Sequence, residues 1–305
     1  MNSSETTIGI LAETTWGNLP SPAVFTPVRF TGETFKINRE YVESEEIEPS
    51  GNVTDSIMVG GDASGGFDAE FSYGTFDALI ESALRSTWST NVIENAVTQK
   101  SFHIQKKQTG GGDAAVYELY KGMVVNTMAI NISAKAKTTV SFTFAGKNGV
   151  TGTAPTGSFG SATDTVILDA SNAFVLDKAF GLSPLPKLMS MTINIDNGLT
   201  GRPVAGSVDL LRISQSRCRV TGSASFYFQN KAMMDLFLAG TGGELAVTLG
   251  KVTGEKYSIS MPSVKITDAD HFSPNNEDDV MLNITWQASK DTTLGATIEI
   301  TRAVA

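Results

Sequence analysis

Residues 65–84 read GGFDAEFSYGTFDALIESAL and change period midway. Phe67 to Tyr73 alternates apolar and polar, the two-residue period of a strand with one buried face. Phe76, Leu79, Ile80, Ala83 and Leu84 then recur at i, i+3, i+4, i+7 and i+8, the stripe of an amphipathic helix. Gly74 and Thr75 stand at the switch. Thr75 is the expected N-cap, with Asp77 in the first turn facing the helix dipole. A strand that runs into one short helix is a common unit, and the chain repeats it.

Residues 28–147 and 187–290 show the same order of periods. In the first, the strand-like Thr34–Asn38 leads through a polar loop to strand 67–73 and a helix near 76–87. "KSFHIQKKQ" follows, and then the hairpin pair "AVYELYKGMVVNTMAINIS" and "KTTVSFTFAGK". In the second, "LMSMTINIDN" opens, then strand 220–228, then a helix near 231–239 carrying Met233, Met234, Phe237 and Leu238, with Gly240 at C′. "GELAVTLGK", "EKYSISMPSVKITDAD" and "VMLNITWQASK" close it. The matching anchors are Phe71 with Phe226, Leu84 with Leu238, Phe144 with Trp286 and Lys147 with Lys290. The expectation is a mainly β protein of two tandem β-sandwich or barrel domains, each flanked by one short α-helix. The predicted boundaries are an N-terminal arm at 1–27, a first β domain at 28–147, a connector at 148–186 and a second β domain at 187–305. The first copy has a long excursion at 39–64, and the second a shorter one around Asn197 to Ser207. The connector is rich in Gly, Thr, Ser and Pro but holds two apolar pieces, 166–168 and 174–176.

With 305 residues the chain has room for one large or two ordinary domains, and 41% hydrophobic with 18% charged residues is a folding composition. Abundant Gly with Val, Thr and Ser in the alternating runs favours β over α. A formal charge of −9 opposes a surface that grips nucleic-acid backbone, which needs clustered Lys and Arg. No apolar run approaches the roughly 18 residues of a membrane-spanning helix. The opening MNSSETTIGILAETTWG lacks the basic and apolar regions of a secretory signal, so synthesis and folding in a reducing cytosol are expected. The one cysteine, Cys218, reads as a small buried hydrophobe on a strand.

Catalytic and ligand motifs are missing. His103 lies in an alternating run and is expected on its wet face, and His271 is expected in an acidic loop; neither has a Cys or second His for a zinc site. "DADHFSPNNEDD", 268–279, fails as a calcium loop because Ser273 and Asp279 replace the required Gly and Glu. "GGDASGG", 60–66, lacks the lysine of a phosphate loop and reads as flexible. Glu40, Glu43, Glu45, Glu46 and Glu48 read as a solvated loop rather than as acid–base pairs. The expected catalytic, cofactor-binding and metal residues are therefore none, and a hydrolase built on Asp or Glu pairs is the weakest reading. Open β edges are liabilities unless paired or covered. A chain that duplicates an open β unit has the parts for assembly through them.

The run from Glu13 to Ser89, beginning "ETTWGNLPSPAVFTPVRFTGETFKINREYVESEEIEPSGNVTDSIMVGG", closely resembles the opening of the tail tube (major tail) proteins of long-tailed, non-contractile bacteriophages. "YKGMVVNTMAINISAKAKTTVSFTFAGKNG" and "INIDNGLTGRPVAGS" resemble later family motifs. The resemblance implies stacked rings around a channel that passes double-stranded DNA without binding it. It also implies partners in the chain itself, a tape measure protein and tail-end proteins, and a place in the virion. Family members with one domain form hexameric rings, so a duplicated chain is expected to form trimeric, pseudo-hexameric ones. The rival reading is another self-assembling or adhesive phage β protein, a tail-fibre or carbohydrate-binding module. A neutral-to-acidic lumen suits a conduit, since it repels phosphates. The arm through Phe25 and the loop 39–64 are expected to order only between stacked rings, through anchors such as Ile8, Ile10, Trp16, Ile47 and Ile57.

Overall fold

The computed structural model describes residues 3–109, 114–171, 174–272, 275 and 278–304. The strands of the first half are β1 (Thr6–Ala12), β2 (Val24–Pro27), β3 (Gly32–Glu33), β4 (Lys36–Glu43), β5 (Ser56–Glu70), β6 (Val92–Glu94), β7 (Phe102–Gln108), β8 (Val116–Ser133), β9 (Thr139–Gly146) and β10 (Asn148–Gly152). Helix α1 (Asp77–Ala83) lies between β5 and β6. The second half holds β11 (Ser158–Phe159), β12 (Phe174–Ala179), β13 (Leu188–Asp196), β14 (Thr200–Arg202), β15 (Arg212–Ser214), β16 (Arg219–Tyr227), β17 (Gly242–Leu249), β18 (Tyr257–Phe272), β19 (Met281–Ala288) and β20 (Glu299–Arg302). Helix α2 (Ala232–Ala239) lies between β16 and β17. The protein is mainly β, and its sheets do not close into a barrel.

Hydrogen-bonded neighbours in the first half run β4–β5–β9–β8–β7–β1, all antiparallel. In the second half they run β13–β16–β19–β18–β17–β12, also antiparallel. β10 flanks the start of β8 as β20 flanks the start of β18. The bulges coincide too. β8 shifts register between Val125 and Thr127 opposite Phe144, and β18 between Ile266 and Asp268 opposite Trp286. β7 shifts between Phe102 and Ile104, and β17 between Gly243 and Leu245. Bulges are placed features of a strand, so two at matching positions fix the residue correspondence. Phe144 matches Trp286, and each is paired with a glycine, Gly65 or Gly222; a Cβ at Gly222 would run into the Trp286 ring, and one at Gly65 into the backbone of Thr34 and Phe35.

This register moves two expected anchors: Phe71 matches Phe228, not Phe226, and Lys147 matches Ser289, not Lys290. It also puts residues 60–66 inside β5, so the glycine-rich stretch is a strand shaped by aromatic packing and not a flexible loop. Phe35, Phe67, Phe76, Phe142 and Phe144 form one buried cluster with ring centroids 5.5–6.5 Å apart.

Phe76, Leu79, Ile80 and Leu84 are fully buried, as the stripe requires. The expected cap fails. Thr75 Oγ1 instead bonds Ser72 Oγ and Thr163 Oγ1, each at 2.7 Å, and Phe76 holds the N-cap position with no side-chain cap. Gly240 ends α2 in the left-handed conformation (φ 62°), accepting no Cβ penalty there. Met233 is buried, but Leu238 is 77% exposed where Leu84 is 0%. The expected burial of Leu238 within its own unit is overturned.

Residues 6–12 and 24–27 are paired strands. β1 joins β7 over its whole length, and Ile8, Ile10 and Phe25 are buried in this chain. These anchors are therefore not held back for a neighbour; Met1 and Asn2 lie outside the described residues. The region 148–186 contributes β10 to the first half, β11 beside β2, and β12 to the second half. The excursion after Asn38 is a two-stranded ribbon of β4 and β5, joined by residues 44–55. The excursion after Asp196 extends to Cys218 and contains the β14–β15 ribbon, so it is nearly as long as the first. Among the described residues, no helix is long and apolar enough to cross a membrane.

Candidate functional site: a polar sheet face with two open edges

One continuous run of eight strands, β4–β5–β9–β8–β13–β16–β19–β18, crosses the molecule. The joint between the halves is β8 with β13, paired from Thr127↔Asp196 to Ser133↔Ser190. Two-residue alternation gives this sheet a buried and an open face. Val140, Phe142, Met191, Ile193, Ile195, Leu282, Ile284 and Trp286 point into the core. Between them Ser141, Thr143, Ser190, Thr192, Asn194, Asn283, Thr285 and Gln287 point outward.

The outward side chains bond across the seams. Asn38 Nδ2 donates to Ser64 Oγ (2.9 Å), and Ser141 Oγ to Asp68 Oδ1 (2.5 Å). The Thr127 and Thr143 hydroxyls meet at 2.6 Å, and Thr192 Oγ1 donates to Asn131 Oδ1 at 3.0 Å. Ser225 Oγ donates to Asn283 Oδ1 at 2.6 Å, and the Thr267 and Thr285 hydroxyls are 3.0 Å apart. Such cross-strand pairs hold short polar side chains flat against the sheet. Carboxylates outnumber cations on this face: Asp62, Asp68, Asp196, Asp268 and Asp270 against Lys36, Arg219 and Lys265.

Both ends of the run are open. Among the described residues β4 is paired with β5 alone. β18 is flanked on both sides over Tyr257–Ser260, but beyond Lys265 it has β19 as its sole strand partner among the described residues.

The positions weighed for chemistry do not gather into a site. His103 is buried, not on a wet face; its Nδ1 lies 2.6 Å from Oε1 of the equally buried Glu13 side chain. Burial pushes the Glu13 carboxyl up, but hydrogen bonds from His103, Ser101 Oγ (2.6 Å), Gly17 N–H (2.7 Å) and Gly122 N–H (2.8 Å) hold it below its ordinary value. A carboxylate with this many donors is a staple, not a poised base. It stands beside a cavity of about 850 Å³, bordered also by Trp16, Glu81, Lys100 and Arg212. Nothing in the sequence marks Glu13, because the strands that bring its donors together are remote in the chain. His271 lies on β18, not in a loop, with its ring stacked on Phe228 at 5.0 Å. Cys218 is partly buried just before β16, and burial raises its thiol. Of the acidic run 268–279, residues 273, 274, 276 and 277 lie outside the described residues. Among the described residues no group of three His, Cys, Asp or Glu is placed to hold a metal ion.

The wide polar face and the two open sheet edges are the features of this mainly β chain through which it can make contacts. A sequence model of the phage tail tube protein family matches residues 3–288, and the chain belongs to that family. It is thus a structural subunit of a phage tail tube and a component of the virion. No curated protein matches the chain.

Proposed function

We propose that the chain is a tandem duplication of one tail-tube unit, and that three chains close into a pseudo-hexameric ring. The two units are 28–147 and 187–305, each widened by an outer strand, β1 for the first and β12 for the second. Rings stack into the hollow tube of a long-tailed, non-contractile phage, and the genome passes through it on ejection. The subunit works without catalysis or cofactor, and its partners are further copies of itself, a tape measure protein and the proteins at the tube ends.

The observation that carries this reading is the eight-stranded run, with one polar face and two open edges. The polar face is the wall of the lumen. Its Ser, Thr and Asn side chains are already bonded to one another, and its excess of carboxylates repels phosphate, so DNA slides with no counterion-release grip. Electron microscopy of the purified protein at high concentration tests it. Hollow tubes of uniform diameter, whose rings show threefold symmetry with a sixfold repeat, are the expected result. Protein that stays dispersed under all assembly conditions, or rings with no sixfold repeat, would sink the reading.

A further inference from the structure

The joint between the two halves consists of more than the β8–β13 seam. The excursion 197–218 folds over α1 in the same place. Asn197 Nδ2 donates to Ala83 O (3.0 Å), at the end of α1, and to Val125 O (3.1 Å), and Arg85 Nη1 donates to Ser216 O (2.8 Å). This cover lies against the C-terminal end of α1, where Leu84 and Arg85 are buried. Helix α2 holds the matching place in the second half without a matching cover, and Leu238 on it is open to solvent. The missing cover has a counterpart at the other end of the molecule. The β4–β5 ribbon, which matches 197–218, leaves Tyr41, Val42, Ile57 and Val59 exposed.

We propose, resting on the ring reading above, that the contact between neighbouring subunits is a copy of this internal joint. β4 of one subunit pairs antiparallel with the open half of β18 of a second copy, and its ribbon lies over that copy's α2. The two sets of bulges fix the register. Val125 and Met128 of β8 correspond to Ile266 and Ala269 of β18. Lys36 and Ile37 of β4 correspond to Asn194 and Ile195 of β13, through their partners on β5 and β16. The internal pairs Asn194↔Ala129 and Ile195↔Met128 become Lys36↔Asp270 and Ile37↔Ala269 between chains. Charge agrees with this register, since a lysine meets an aspartate directly across the strands. The ribbon is thereby assigned to the side of the ring and not to the contact between stacked rings.

The internal pair Asn194↔Ala129 lies between backbone bonds, because Asn197 N–H donates to Asn126 O and Ala134 N–H to Met189 O on either side of it. Cα atoms at such a position are about 4.5 Å apart, within disulfide range. The test is Lys36→Cys with Asp270→Cys, in a Cys218→Ser background, assembled and then oxidised mildly. Covalent dimers and trimers on a non-reducing denaturing gel are expected, at least tenfold above either single cysteine. The slipped pair Lys36→Cys with Asp268→Cys should link far less. Tubes that form but do not link, or that link better in the slipped register, overturn the proposal while leaving the tube reading intact. Parent protein that forms no rings overturns both. Leu238→Glu tests the ribbon separately: the free subunit should melt as the parent does and lose assembly. A variant that assembles normally would show that α2 stays uncovered.

Discussion

Glu13 shows how one side chain secures the N-terminal segment. Its side chain is inaccessible to solvent and takes two backbone N–H groups, the Ser101 hydroxyl and the His103 ring. Glu13→Ala would leave these buried donors without an acceptor, and the expected loss is about 3–5 kcal/mol, read from urea unfolding. The pH dependence follows from the direction of its shift. The carboxyl is held below its ordinary value in the folded state, so its contribution is present above the ordinary glutamate pKa. It is lost as pH falls through the lower folded value, and Glu13→Gln should flatten that part of the stability curve. An acid limb unchanged by Glu13→Gln would remove Glu13 from the account. Tyr257 acts in the same way between the halves, bonding Asp77 and receiving the Gly74 N–H at 2.8 Å, and burial pushes its phenol up.

At the level of elements, the two helices make a controlled comparison. Both are short and both follow a strand matched in register, so local propensity does not separate them. Leu79→Ala in α1 removes a fully buried side chain and should cost roughly 2–5 kcal/mol. Leu238→Ala in α2 should leave the free subunit's melting temperature nearly unchanged, because its side chain is already in water. Calorimetry of the two variants checks this, and a large loss at Leu238 would mean that α2 is already covered within its own chain. The periods of residues 65–84 and 220–239 predicted both helices within a few residues. The cap at Thr75 was not legible, since Thr163 and Thr165 compete for its hydroxyl from 88 and 90 positions away. The burial of His103 escaped for a like reason: alternation gives the face of a strand but not what packs against it.

For the whole molecule, the prediction concerns assembly and DNA. Deleting residues 40–60 should leave a folded protein by circular dichroism that forms no rings. If the ribbon acted only between rings, single rings would survive, and microscopy distinguishes the two. The polar face also predicts that assembled tubes retain no double-stranded DNA even at low salt. Replacing Ser223 and Thr285 with Lys should create retention that falls steeply with added salt. Retention by the parent tubes would contradict a low-friction lumen.

Alternation, helical stripes and their repeated order are local properties. The sequence by itself therefore determined the mainly β class and the two helices. Phe144 and Trp286 were legible as partners because each ends an alternating run of the same kind. Pairing between strands depends on residues far apart in the chain, such as Thr6 with Gln108 and Phe174 with Leu249. Only the tertiary structure decided that β1 and β12 are outer strands of matching position, that residues 60–66 are strand, and that Leu84 is sealed while Leu238 is open. The seam of β8 with β13 belongs to that second group. Its register is continuous and follows from which face is buried, and a one-residue slip would turn the outward side chains of the slipped strand into the core.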